Sequence, residues 1–445
     1  MGNVTLLEVL YRAETGPMCE ERDWDIKVVP QKVSEKLKEH GLQRVYDPKN
    51  LVPSDDGLAD EFWRAGFELA VDLGVLCTST RRIIKFGEDE LKYCLQRHPK
   101  EVRFGSREDQ VIVRNRQVED RNPPICWYGA LGMDLDEDLF IPIELSILQY
   151  RVVDQVEPGQ VRTIYGKERR AGTPLDILGS QRRLDLHRQA CDMAGRPGLW
   201  VDEPEHCNFI SELKINYRSM ERVVWQYREG ITDRLLNVSY SLGHSIIGGY
   251  AGGPEGAAVM RVATTILARP IFLAKVSHNE IFDVRYTGST NREAIWANSI
   301  SSQAVARNSH MLQKGSGTTP TAGPCTKMLL QEVAVCTMKD TVNGNSISHG
   351  IRPRAGKYPN NATGLEMKFG AEVAKSAAGL KRQDVNEIVN ALVSNYEDKL
   401  RNPPIGKPFQ ECFDQRTLKP SDEWLAIYRE TWKDLEDLGV ASKFQ

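Results

Sequence analysis

From Asn122-Pro123-Pro124 onward the sequence settles into one rhythm. Short apolar runs at 125–130, 141–145, 199–201, 235–240, 281–286 and 347–351 alternate with helix-forming stretches at 174–194, 254–274, 291–311, 326–341 and 364–378. Strand followed by helix, repeated over about 250 residues, is the pattern of a parallel sheet, and that length suits a closed (β/α)8 TIM barrel better than an open sheet. The expected class is therefore α/β, with the barrel over 122–380. Residues 1–121 read as an N-terminal elaboration packed on it: helices at 5–13, 57–74 and 88–97, a strand at 82–86, and a hairpin pairing 102–104 with 111–113 around Gly105-Ser106. Two amphipathic helices, 382–400 and 421–438, close the chain in a segment of C-terminal helices over 381–445.

One loop stands out in this frame. Gly248-Gly249-Tyr250-Ala251-Gly252-Gly253-Pro254-Glu255-Gly256 holds five glycines in nine residues. It leaves an apolar run and enters the stretch Ala257-Ala258-Val259-Met260. Such a density of glycine is too costly in backbone entropy for the inside of a helix or strand. A strand, a glycine loop and then a helix N-terminus let a ligand approach the backbone and offer it unpaired N–H groups. Glu255 is the one charge there, and a tight turn with a solvated glutamate is the bland alternative.

Charge and cysteine usage exclude several classes. The 58 basic and 61 acidic residues give a net charge of −3, which does not suit electrostatic binding to nucleic acid or an anionic membrane. No apolar run approaches the ~20 residues of a membrane span, and the N-terminus lacks a signal-peptide pattern. Nine cysteines are scattered with no CxxC pair, and the eight histidines form no HExxH. The expectation is a cytoplasmic protein with reduced thiols and no structural metal.

Six ordered segments extend the reading. They are Ala194-Gly195-Arg196-Pro197-Gly198, the glycine loop, Gly288-Ser289-Thr290-Asn291-Arg292-Glu293, Ala322-Gly323-Pro324-Cys325-Thr326, Thr363-Gly364-Leu365-Glu366 and Phe409-Gln410-Glu411-Cys412. Together they resemble the monomethylamine:corrinoid methyltransferases of methanogens over nearly the whole chain. The resemblance implies a (β/α)8 barrel, a homo-oligomer (a hexamer in the family), a methylated amine as donor, and a partner protein carrying the corrinoid whose Co(I) receives the methyl group. The family places pyrrolysine shortly after the Ala-Gly-Arg-Pro-Gly element, where this chain has Asp202 in Trp200-Val201-Asp202-Glu203-Pro204. The family's next loop is shortened by about two dozen residues, and a second family carboxylate falls on Glu205-His206. A glutamine and tyrosines that line the pyrrolysine site are replaced by Gly317, Thr318 and Thr319. The member is thus one that lacks pyrrolysine.

A neutral amine leaves as a poor amide ion, whereas a quaternary ammonium leaves as a neutral amine, so the expected donor is quaternary or otherwise pre-activated. Glu255 and Asp202 are the expected catalytic carboxylates. Tyr250 and Trp200 would supply aromatic faces for a cation, with His206, Glu205, Thr318 and Thr319 around them. Arg196 or Arg292 would fork onto a carboxylate if the donor is a betaine. Packing roles for Trp200 and Tyr250, a salt bridge for Arg196 and a helix brace at Arg292-Glu293 compete with these. A methylated pterin as donor, or a binding protein without catalysis, are the rival functions.

Overall fold

The computed structural model describes residues 5–170, 173–200, 208–220, 240–315 and 319–444. Seven parallel strands position the site: β1 (Ile125–Gly129), β2 (Gln155–Glu157), β3 (Asn208–Ser211), β4 (Tyr240–Ile247), β5 (Val276–Asp283), β6 (Leu312–Gln313) and β7 (Ile347–Gly350). Ladders join β3, β4, β5 and β6 in that order, with His244 opposite Glu280. A second set runs β7, β1, β2, with His349 opposite Trp127 and Trp127 opposite Gln155. One parallel bridge, Lys314 to Ile347, joins the two sets into a single arc. Among the described residues β2 and β3 are not paired, so the arc is open and the expected closed barrel is not found. The segment between them, 201–207, lies outside the described residues.

Helical crossovers follow the strands, as parallel pairing demands. They are α1 (Glu137–Leu148), α2 (Pro174–Met193), α3 (Pro254–Phe272), α4 (Arg292–Asn308), α5 (Lys327–Val342) and α6 (Gly364–Ser376). Pro254 opens α3 at its first turn, where a missing N–H costs nothing. Thr363 and Glu366 form a capping box on α6. The apolar run at 141–145 lies inside α1 despite Pro142, because its flanks are equally apolar and the helix buries both sides. The run at 281–286 is the end of β5 and the turn after it, five residues later than the strand begins. Of the run at 235–240, only Tyr240 is described, and it opens β4. At 199–201, the two described residues form no strand.

Two N-terminal pieces shape the arc. The hairpin Glu101–Phe104 with Val111–Arg114 forms as expected and inserts Phe104 against Trp127 and Trp200. Strand Val75–Cys77 pairs in parallel with Lys214–Ile215, which folds back on β3, so the N-terminal part extends the main sheet. Outside, helix Asp56–Leu73 packs so closely on α3 that a Cβ at Gly66 would lie 2.5 Å from Val262. No helix among the described residues is long and apolar enough to cross a membrane.

Candidate functional site

Strand alternation sorts the side chains into two faces. One face meets the helices: the Asn279 amide donates to Thr265 on α3 at 2.7 Å, Gln313 donates to the Ser302 carbonyl on α4 at 3.0 Å, and the Tyr128 hydroxyl meets Ser348 at 2.7 Å. The other parity on each strand therefore turns inward. It brings together Trp127 on β1, Glu157 on β2, Phe209 on β3, His244 on β4, His278, Glu280 and Phe282 on β5, Lys314 just past β6, and His349 on β7.

The deep part of this inner face is aromatic with a buried ion pair at its centre. Trp127 and Trp200 meet edge to face with centroids 4.7 Å apart, and Phe104 closes on both at 5.1 and 5.3 Å. Glu157 Oε2 lies 3.1 Å from the Lys314 ammonium and 2.7 Å from His349 Nε2. The same ammonium sits 3.7 Å from the centroid of the Trp127 ring, so it is held by a carboxylate and an aromatic face together. The His278 ring stacks edge-on against His349 at 4.5 Å. Burial pushes His278 far below the usual imidazole range, and the positive charge of its neighbours His349 and Lys314 adds to this. It is neutral at pH 7.

Toward the C-terminal ends of the strands the face becomes accessible. Phe209, His244, Ile246 and Phe282 are all partly exposed. His244 lies between the two phenylalanines, at 5.0 and 4.7 Å, and burial among protein atoms pushes its pKa down to about 4, with Arg352 contributing. Glu280 is buried and accepts from the Thr319 hydroxyl at 2.7 Å and from Ser289. Burial pushes its pKa up, while those hydrogen bonds and the positive charges of Lys339 and Arg352 hold it back. Arg352 follows β7, donates to the Gly132 carbonyl at 3.1 Å, and has an Nε–H with no acceptor among the described residues.

The glycine loop beside this mouth is organised by a carboxylate other than Glu255. Glu212 Oε1 accepts the Ile246 N–H at 2.7 Å and its Oε2 the Tyr250 N–H at 3.1 Å. Burial pushes Glu212 up to about 7, against the hydrogen bonds it accepts from the loop backbone. Gly248 needs its φ of +85°, and a Cβ there would lie 2.6 Å from Val284.

The expected site residues divide accordingly. Trp200 and Thr319 do face inward. Tyr250 is 38% exposed at the rim; its ring already carries the Lys214 ammonium at 5.3 Å, and its hydroxyl meets Asp25. Glu255 accepts the Tyr46 N–H at 3.2 Å and lines a cleft with Leu37, Gln43 and Arg44, so it faces the N-terminal segment. Arg196 is buried and braced by Asp109 and the Asp154 carbonyl, because the loop after α2 must be pinned to the hairpin. Arg292 is committed to Glu397, Asn390 and the Pro48 carbonyl. Both arginines are thus braced by protein partners, and Arg196 Nη1 has no acceptor among the described residues. Asp202, Glu205, His206 and Thr318 lie outside the described residues. Glu157, His244, His278, Glu280, Lys314, His349 and Arg352 were not anticipated; the alternation His278, Glu280, Phe282 was the available signal, obscured by starting that strand at 281.

This inner face belongs to a chain whose relatives are well defined. The family profile described as monomethylamine methyltransferase MtmB matches residues 4–209 and 201–440. The chain belongs to this family. Monomethylamine methyltransferase MtmB of Methanosarcina mazei is 32% identical over 452 residues, covering 96% of both chains. MtmB1 of Methanosarcina acetivorans is 32% identical over 454 residues with the same coverage. The crystal structure of the Methanosarcina barkeri monomethylamine methyltransferase MtmB superposes with a TM-score of 0.91 at 31% identity, covering 98% of each chain. A hydroxylamine complex of MtmB matches equally well. Within the monomethylamine methyltransferase family, then, this chain shares the fold over 98% of its length and has aspartate at position 202.

Proposed function

We propose that this chain moves a methyl group from a quaternary amine to the Co(I) of a corrinoid carried by a partner protein. The observation that carries the reading is the inner face itself: aromatic edges, a neutral histidine and one buried carboxylate, Glu280, gathered at the accessible end. A quaternary ammonium donates no hydrogen bond, so aromatic faces and a nearby carboxylate are what recognise it. The Lys314 ammonium seated on Trp127 and Glu157 is an internal instance of that recognition. The donor would sit further out, between Phe209, His244 and Phe282, with Glu280 beneath it. Neutral His244 adds no opposing charge, and Arg352 takes the carboxylate of a betaine in the role first expected of Arg196 or Arg292. Glu280, in place of Glu255, is then the catalytic carboxylate. Asp202 and the Glu205-His206 pair, which lie between Trp200 and β3 in the sequence, are proposed to act in the same reaction.

The partly exposed aromatic rim suits the flat face of a corrinoid, and the residues that would meet it are Phe209, Ile246 and Phe282. When present, its cobalt supplies the nucleophile. The protein's part is to orient the methyl group outward, exclude water, and let the amine leave neutral. Pyrrolysine is unnecessary for such a leaving group.

We further propose that the arc closes into a (β/α)8 barrel. Trp200 supports this only by proximity: its backbone N–H donates to the side-chain Oε1 of Gln155 on β2 at 3.0 Å. The division into 1–121, 122–380 and 381–445, a homo-oligomeric state and a cytoplasmic location go with this reading. Calorimetric titration of glycine betaine, carnitine, choline and monomethylamine tests donor recognition. Saturable binding of a betaine that weakens in Glu280→Gln, and an Arg352→Met variant that no longer prefers betaine to choline, are the expected results. Equal affinity for monomethylamine and the betaines would sink the assignment.

A further inference from the structure

Beside the mouth lies a second cavity of about 540 Å³ that the methyl-transfer reading does not use. Arg285, Tyr286 and Thr287 from the turn after β5, Thr321, Arg354, Ala355 and Lys357 after β7, and Leu400, Arg401 and Pro403 line it. No lining residue is acidic. Arg285 is already neutralised by Asp283 and Glu293. The other three cations are not: among the described residues no carboxylate pairs with Arg354, Lys357 or Arg401. Arg354 is held in place by the Thr321 and Pro403 carbonyls, both at 3.1 Å, and by the Tyr358 ring at 5.1 Å, and among the described residues its Nε–H has no acceptor. Three cations converging without a counter-charge on one cavity repel one another. A fold has reason to keep them where an anion joins them.

The backbone supports the same conclusion. Thr287, Arg354 and Ala355 have φ of 54°, 54° and 53°, a left-handed conformation that residues with a Cβ disfavour. They are held there by the surrounding structure, since Arg354 N–H donates to the Ala322 carbonyl and Ala355 N–H to the Pro320 carbonyl, each at 3.1 Å. Strain of this kind persists where surroundings over-determine it and gathers at ligand clamps.

We propose that this cavity is a binding site for a small multivalent oxyanion, a phosphate ester or a di- or tricarboxylate. The volume falls within the range of small-molecule pockets, about 300–1,000 Å³. Arg354 supplies a positive charge fixed by its two carbonyl partners, with its Nη2 also at 3.5 Å from the Tyr358 hydroxyl, and Lys357 and Arg401, on exposed flexible stems, close over the far side as point charges. The site needs neither the corrinoid nor the methyl donor, so its test is independent of the reaction.

The experiment is calorimetric titration of the full chain with pyrophosphate and, separately, citrate, at matched ionic strength in chloride. Saturable one-to-one binding of at least one probe is expected, and which probe binds distinguishes a phosphate ligand from a carboxylate one. The double variant Lys357→Ala/Arg401→Ala, made at exposed positions, should weaken binding about tenfold or more with an unchanged melting temperature. Lys92→Ala, an exposed lysine elsewhere, should leave it unchanged. No saturable heat for either probe, undiminished affinity in the double variant, or equal loss in Lys92→Ala would each overturn the proposal.

Discussion

Glu157→Gln tests whether the charged centre of the inner face is held as the geometry implies. Glu157 is 4% exposed, and the Lys314 side chain it binds at 3.1 Å is fully buried. The substitution keeps shape and an acceptor for His349 but removes the negative charge. Breaking a buried ion pair from one side costs about 3–5 kcal/mol, because the remaining charge stays desolvated. The Trp127 face still holds the ammonium at 3.7 Å and offsets part of this, so the expected loss is about 3 kcal/mol. An unfolding entropy of about 2.1 cal/mol/K per residue over this chain gives roughly 0.9 kcal/mol/K, so the melting temperature should fall by about 3 °C. The assay is urea unfolding of the wild type, Glu157→Gln, Lys314→Met and the double variant. In the double variant no charge is stranded, and it should recover at least about 1.5 kcal/mol relative to the sum of the singles. A loss below about 1 kcal/mol in Glu157→Gln, or strictly additive singles, would refute the reasoning.

Three further outcomes follow from the same geometry. Glu280→Gln should lower kcat/KM for the methyl donor by an amount worth about 2–4 kcal/mol, the scale of one electrostatic group at a reacting centre, with little change in unfolding midpoint; a fall in stability without a fall in rate would contradict it. Glu212 has its folded pKa raised to about 7 from 4.5, so the folded state holds its proton more tightly. Its contribution to stability is full below pH 4.5 and is lost as pH rises to 7, and Glu212→Gln should flatten that slope in melts taken between pH 4.5 and 8. Gly248→Ala forces a Cβ into a φ of +85° and against Val284, and should cost about 1–3 kcal/mol, read by chemical denaturation; an unchanged midpoint would show the loop to be loosely held.

The sequence made the helical layer and the parallel character of the sheet legible, because apolar runs and glycine–proline punctuation mark them directly. The hairpin around Gly105 was equally plain. The inner face was not. Polar residues stand on both parities of its strands, so β5 opens with Ser277, His278, Asn279 and Glu280 in a row before Ile281, and an apolar-run criterion starts the strand too late. β2 is three residues long and drew no signal at all. Glu255 attracted attention as the one charge in a glycine loop, yet the backbone of that loop turns it toward Tyr46. The carboxylate that organises the loop, Glu212, comes from a segment more than thirty residues earlier. Charge partners that distant in sequence are set by topology and cannot be read from spacing.

The central claim is tested most directly by following the absorbance of reduced Co(I) cobalamin, or a Co(I) corrinoid protein, with the full chain and a panel of donors. The panel holds mono-, di- and trimethylamine, glycine betaine, choline, carnitine, proline betaine and methyltetrahydrofolate. Loss of the Co(I) band with growth of the methylated form for a quaternary donor, and not for monomethylamine, is the predicted result. Turnover with monomethylamine or methyltetrahydrofolate, or silence across the panel with folded protein and competent corrinoid, would contradict it.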